Sequence, residues 1–260
     1  MTYAVMQTGS TPPSKEQLQD AFHQVPGLTG ADAGILGRDA YGVLAKGLDL
    51  EPASAMRSAL AAQGVQTEVV EDAALTELPP PRQLTKVDFS PEALQIHDLM
   101  GRSFPLKWSD ISIIAAGRAW LTDFTSDLVR KLMTQAGGGN YADCAPFVRV
   151  EKITKEERRE HLLLEIITRG AALRYHVMAD VPETLLLFQC LGERRCKDLT
   201  ANLALFVQEL ATFAPAAILN YGAYNMCDNR DPSFIYASKT AFYREITWLL
   251  WMVGTGRMQQ

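Results

Sequence analysis

Three consecutive prolines, Pro79 to Pro81, constrain this chain more than any other feature of its sequence. A proline fixes its own φ, biases the residue before it toward extended backbone and donates no hydrogen bond. The run therefore excludes a helix and the middle of a sheet, and it divides the 260 residues in two. Charge divides at the same place. Residues 1–82 hold five basic and ten acidic side chains, a net −5 that accounts for the whole charge of the chain. The expected organisation is a small module over 1–76, a proline-rich linker over 77–83 and a second segment over 84–260.

The first segment alternates between strand and helix patterns. Tyr3 to Met6 reads as a strand. Ser14 caps a helix whose apolar face is Leu18, Phe22 and Val25, and Thr29 caps a second that runs to about Leu36 and stops at Gly37. Tyr41 to Ala45 is a second strand. Glu51-Pro52 opens a third helix with Ala55, Met56, Ala59 and Leu60 on one face, closed by Gln63-Gly64, and Val65 to Val70 is a third strand. The predicted order is β-α-α-β-α-β.

The residues Pro26-Gly27-Leu28-Thr29-Gly30, Asp32-Ala33, Lys46-Gly47-Leu48 and Ala55 through Gly64 to Val69 give residues 1–72 a pattern that resembles the C-terminal domain of the bacterial ribosomal stalk protein. The resemblance implies that fold. That family recruits translation factors through lysines on its second helix. The matching stretch here, Ala31 to Leu36, has none, which argues against carrying the ribosomal role over.

The second segment opens with strand patterns at Leu84 to Phe89, Ala93 to Asp98, Ser103 to Trp108 and Ile111 to Gly117. A helix is expected from Thr122 to Gln135, a glycine loop at 137–139, and strands at Phe147 to Ile153, His161 to Thr168, Leu173 to Met178 and Leu185 to Cys190. Asp198 or Thr200 caps a helix through Leu203, Val207 and Leu210; an Asn- and Tyr-rich loop and a last helix, about Ser238 to Val253, follow. The stretch Leu106 to Ile114, with the strand and helix order from Leu162 to Phe213, is similar to bacterial pleckstrin-homology-like domains; the likeness covers residues 84–215. The fold class is α+β: a small βααβαβ sandwich, then an antiparallel sheet or pleckstrin-homology-like barrel with C-terminal helices.

Neither segment carries the basic footprint that phosphate neutralisation demands, so nucleic acid is not an expected partner. The opening residues Met1 to Met6 lack the basic and apolar stretches of a secretion signal, and the apolar run Trp248 to Val253 is too short for a membrane span, so a cytoplasmic location is expected. Cys144, Cys190, Cys196 and Cys227 have neither zinc nor redox spacing and read as free thiols. Gly137-Gly138-Gly139 lacks the GK[ST] of a phosphate loop. His161 and His176, on adjacent strands, have too few neighbouring ligands for a metal. Cys196 near Arg194 and Arg195 reads as a charged turn, and Asp228 with Asp231 as loop caps. No cofactor or metal is expected.

Candidate surfaces for a protein partner are Trp108 with Asp110, and the loop residues Tyr221, Tyr224 and Asn225, because Trp and Tyr concentrate binding energy. The expected role is a non-catalytic adaptor or complex subunit; the alternative is an enzyme of unrecognised class with its site at the domain junction. The last helix places Phe242, Ile246, Leu249, Leu250 and Val253 on one side, widened by Trp248 and Trp251. That face should dock on the second segment's own sheet, with a homo-oligomer contact as the alternative. The boundary has a direct test. Limited proteolysis should nick near residues 76–84, and residues 1–76 alone should melt cooperatively; a wholly unfolded fragment would show one continuous core.

Overall fold

The computed structural model describes residues 1–9, 13–25, 28–98, 100–133, 147–228, 230–231 and 233–258. The first segment is β1 (Tyr3–Gln7), α1 (Lys15–His23), α2 (Gly30–Asp39), β2 (Val43–Leu48), α3 (Leu50–Ala62) and β3 (Thr67–Glu71), the predicted order. Local chemistry sets the helix starts. Ser14 and Gln17 form a reciprocal capping box at α1, and Thr29 and Asp32 form another at α2. β1 lies between β2 and β3, antiparallel to both. Val5, Leu18, Phe22, Leu44, Met56 and Leu60 make a core of this module's own.

The second segment comprises β4 (Pro81–Gln83), β5 (Lys86–Phe89), β6 (Ala93–His97), β7 (Ser103–Lys107), β8 (Ile111–Met133), β9 (Phe147–Thr168), β10 (Arg174–Met178), α4 (Leu199–Phe213), β11 (Ile218–Leu219), α5 (Tyr221–Asp228) and α6 (Lys239–Gly254). β5, β6 and β7 form an antiparallel sheet; a second sheet runs β11-β8-β9-β10-β4 and mixes parallel with antiparallel pairs. The α+β class holds, and the sheets of the described residues are open rather than a closed barrel. Leu84, Leu94, Trp108, Ile114, Leu164, Ile166, Phe188, Phe206 and Leu210 belong to this segment's core. Asp198 caps α4 by accepting the N–H groups of Thr200 and Ala201.

Four expectations are corrected. The last residues of the 77–83 stretch pair as β4 in parallel with β10, at a sheet edge and with Pro81 first, where a proline costs no ladder bond. The chain expected to be helical from Thr122 remains strand to Met133, since β9 lies beside β8 and ladder pairing outweighs a weak helical preference. Leu185 to Cys190 lies within 3-10 turns over Pro182–Arg194, interrupted at Gly192 with φ +58°. The Asn- and Tyr-rich loop is α5, whose start Asn220 caps by accepting the Ala223 N–H at 2.9 Å. The glycine run at 137–139 and Cys144 lie outside the described residues.

By contact density, Met1–Trp120 with His161–Gln260 is one compact unit and Leu121–Glu160 a second. The second unit consists of parts of β8 and β9, with Arg159 paired to Glu157 at 2.6 Å.

Within the first unit, α6 docks inside the chain, as expected of so apolar a face, but not on the sheet alone. Tyr243 does reach the sheet, donating to Glu165 at 2.8 Å. The Trp248 side, however, meets the first module. Trp248 Nε1 donates to the Gln7 carbonyl at 2.7 Å, Arg244 to the Leu44 carbonyl at 3.4 Å, and Ser238 Oγ to Asp39 at 2.6 Å. Gly42, at φ +68°, lies flat against the indole: a Cβ there would sit 2.4 Å from Trp248 Cγ. Phe242, Ile246, Trp248, Leu249, Leu250, Trp251 and Met252 are all buried, which removes the reason for expecting a subunit contact through this face.

Trp248→Ala should therefore cost ~3–5 kcal/mol in urea unfolding, and Gly42→Ala should be destabilising too, from overlap and positive φ together. Stability within about 0.5 kcal/mol of wild type for Trp248→Ala, the range of ordinary surface changes, would show that the indole is not structural.

Candidate functional site

Where α6 meets the first module, a cavity of about 230 Å³ remains. Gln7, Tyr41 and Gly42 form its module side; Leu219, Tyr221 and Tyr224 come from β11 and α5; Glu245, Trp248 and Leu249 come from α6. Tyr221 and Tyr224 are each 38% exposed and stand at the opening. The rings continue behind it. Tyr41 lies 6.2 Å from Tyr221 and 5.7 Å from Tyr236, and Phe234 packs edge-on to Tyr221 and Tyr236.

Glu245 is the unusual member. It is 2% exposed, and no cationic side chain among the described residues pairs with it. Its carboxylate instead accepts the Tyr236 hydroxyl, the Tyr221 N–H at 2.7 Å and Asn220 Nδ2 at 3.4 Å. Tyr236 oxygen in turn accepts Asn220 Nδ2 at 2.8 Å and the Gly222 N–H at 3.0 Å, while Asn220 Oδ1 takes the Ala116 N–H at 2.8 Å. One network thus ties α6, α5 and β8 together. It requires Gly222, because a Cβ there would meet the Ala116 carbonyl at 2.2 Å. Burial pushes the Glu245 carboxyl up to about 7, against the hydrogen bonds that favour its anion. Burial, then the Glu245 charge, raises the Tyr41 and Tyr236 hydroxyls.

Glu165 makes an instructive contrast. It is fully buried as well, and burial works to raise it, but Arg174 donates twice at 2.8 Å and His176 Nδ1 lies at 2.8 Å, so its carboxyl falls below the usual range. That cluster is closed on itself. Glu245 has hydrogen bonds without a counter-charge, and at neutral pH it can take or release a proton.

The sequence-predicted residues separate. Tyr221 and Tyr224 flank the cavity. Asn225, one position on, is 7% exposed and lines a neighbouring cavity of about 140 Å³ with Gly117, Arg118 and Asp231; its Nδ2 has no hydrogen-bond partner among the described residues. Trp108 is a core residue, stacked on Phe213 at 4.9 Å with its Nε1 donating to the Ser90 carbonyl at 3.0 Å. Asp110 is exposed on a groove with Arg169 and Tyr175. His161 pairs with Asp180 and His176 with Glu165, so the two histidines do not converge. Among the described residues no three His, Cys, Asp or Glu side chains are placed to hold a metal. Asp228 pairs with Arg230 and Asp231 with Ser233. Cys196 is exposed, and burial pushes the Cys190 thiol up to about 12. Glu245 escaped sequence reading. Its signal was its place between Phe242 and Leu249, three and four residues away on the apolar stripe.

Glu245 makes stability depend on pH in a defined direction. Between the ordinary value of 4.5 and about 7, the folded chain holds a proton that the unfolded chain has released, so stability falls as pH rises through that window. In Glu245→Gln this component vanishes, and the loss of unfolding free energy from pH 5 to 8 should shrink by about 2–3 kcal/mol relative to wild type. A glutamine nitrogen cannot accept the Tyr236 proton, so absolute stability also drops at pH 5; the slope is the diagnostic quantity. Identical slopes in urea titrations would place Glu245 at an unshifted pKa. No protein-family model matches this chain, and no curated protein or solved structure is detectably similar to it.

Proposed function

We propose that the chain is a non-catalytic interaction protein, an adaptor or complex subunit that receives a basic segment of a protein partner at the junction cavity. The observation that carries this reading is the pair Tyr221 and Tyr224, 38% exposed at the opening of a concave site that Glu245 also lines. Aromatic rings left partly in water around a pocket are how hot-spot residues are presented. The net −5 of residues 1–82 supports a basic partner, since the module supplies Tyr41 and Gly42 to the same cavity.

Glu245 favours a second reading. A carboxyl near 7 beside a tyrosine hydroxyl is suited to proton transfer, and a site at the junction of two segments is a common place for catalysis.

Affinity capture from native lysate, followed by mass spectrometry, separates the two. The adaptor reading expects a protein retained by wild type at low salt and lost with Tyr221→Ala/Tyr224→Ala. Identical recovery by both would overturn it, as would capture of nothing. Turnover in a small-molecule library that Glu245→Gln abolishes would establish the enzyme instead.

A further inference from the structure

A buried carboxylate that lacks a cation is an incomplete arrangement. Ionised Glu245 carries a full charge into a site 2% exposed, and neutral donors alone hold it. A carboxylate offers about four lone-pair sites. Tyr221 N–H, Tyr236 Oη and Asn220 Nδ2 occupy three of them. The rest of the cavity is mostly ring and aliphatic surface, from Tyr41, Tyr221, Tyr224, Trp248, Leu219 and Leu249, with Gln7, Gly42 and Met258 completing it. Tyrosine and tryptophan faces attract cations through their quadrupoles. This protein already uses that attraction, with Arg230 4.6 Å over the Tyr224 ring and Arg257 4.6 Å over Trp251. An anion would be repelled by Glu245. A neutral apolar group would leave the charge uncompensated. A cation on a slender apolar stem satisfies charge and walls together, and about 230 Å³ admits a chain of four or five carbons with its ammonium.

We propose that the junction cavity binds an alkylammonium group, in a protein partner the side chain of a lysine, with the ammonium directed at Glu245 and the methylenes against Tyr41, Tyr221, Tyr224 and Trp248. This deepens the adaptor reading and rests on it for the identity of the donor, though not for the chemistry of the cavity. Binding supplies the missing counter-charge, and it draws the Glu245 carboxyl back toward its anionic form.

The test uses the full chain and n-butylammonium chloride as the probe. Amide signals of Gly42 and Tyr221 and the indole signal of Trp248 report on the cavity by NMR, with n-butanol as the neutral match and sodium chloride as the ionic control. The amine should shift these signals saturably, with n-butanol at least about tenfold weaker and sodium chloride without effect. Glu245→Gln should erase the preference for amine over alcohol. Tyr224→Leu, a change at an exposed ring that leaves the hydrogen-bond network intact, should weaken the amine about threefold to tenfold. Equal binding of alcohol and amine would overturn the assignment, as would no saturable shift or an unchanged preference in Glu245→Gln. Should Glu245→Gln fail to fold, unchanged amine affinity in Tyr224→Leu overturns it alone. Excess n-butylammonium in the capture experiment keeps the two proposals apart. Release of the partner supports both. A partner lost with the double tyrosine variant yet indifferent to the amine leaves the adaptor role standing and removes the lysine.

Discussion

The indole of Trp248 lying on Gly42 is the contact through which the two segments of the first compact unit become one object. A residue with any side chain at position 42 holds the two backbones apart, and φ +68° there is a conformation that L-residues resist. With glycine in place, the ring seals the end of β1 and hands its N–H to the Gln7 carbonyl. The Arg244, Ser238 and Asp39 bonds then align α6 along β2 and α2. Remove the indole and those polar bonds face water. The cavity beside it loses a wall at the same time, so binding and stability share a residue.

Two buried glutamates show how one side chain serves two purposes. Glu165 meets an arginine, a histidine and a tyrosine, which compensate its charge and anchor β9, β10 and α6 to one another. Breaking such a buried pair from one side is costly, so the cluster resists change. Glu245 is held by a tyrosine, an asparagine and the backbone start of α5. Its position is as well defined, its charge is not. A site can be rigid and chemically responsive at once when hydrogen bonds fix the geometry and the counter-ion is left to the surroundings.

Much of the secondary structure was legible because its signals are local. Ser14 with Gln17 and Thr29 with Asp32 each announce a helix within four residues, and the alternation of Ala93 to His97 announces a strand by itself. The misreadings fall where distant partners decide. Thr122 to Met133 has mixed preference, and β9 settles it. The helix at Tyr221–Asp228 depends on Asn220 within its reach but also on Glu245, 24 residues away, accepting its first N–H. The site divides in the same way. Tyr221 and Tyr224 stood out by residue type, whereas the burial of Glu245 depends on Tyr236 and Asn220 arriving from other elements, which no local pattern records.

The distance along the chain between the halves of the seam has a consequence for biosynthesis. Arg244 and Leu44 are 200 residues apart, and Trp248 and Gln7 are 241. At ~5–20 residues per second, a ribosome needs roughly 10–50 s to make what separates them. The core inside the first module can close early from its own residues, but the surface of β1 and β2 that awaits α6 stays uncovered for that interval. Each nascent chain thus carries an unfinished seam while those 200 and more residues are made, when a neighbouring chain on the same message is the nearest competitor for it.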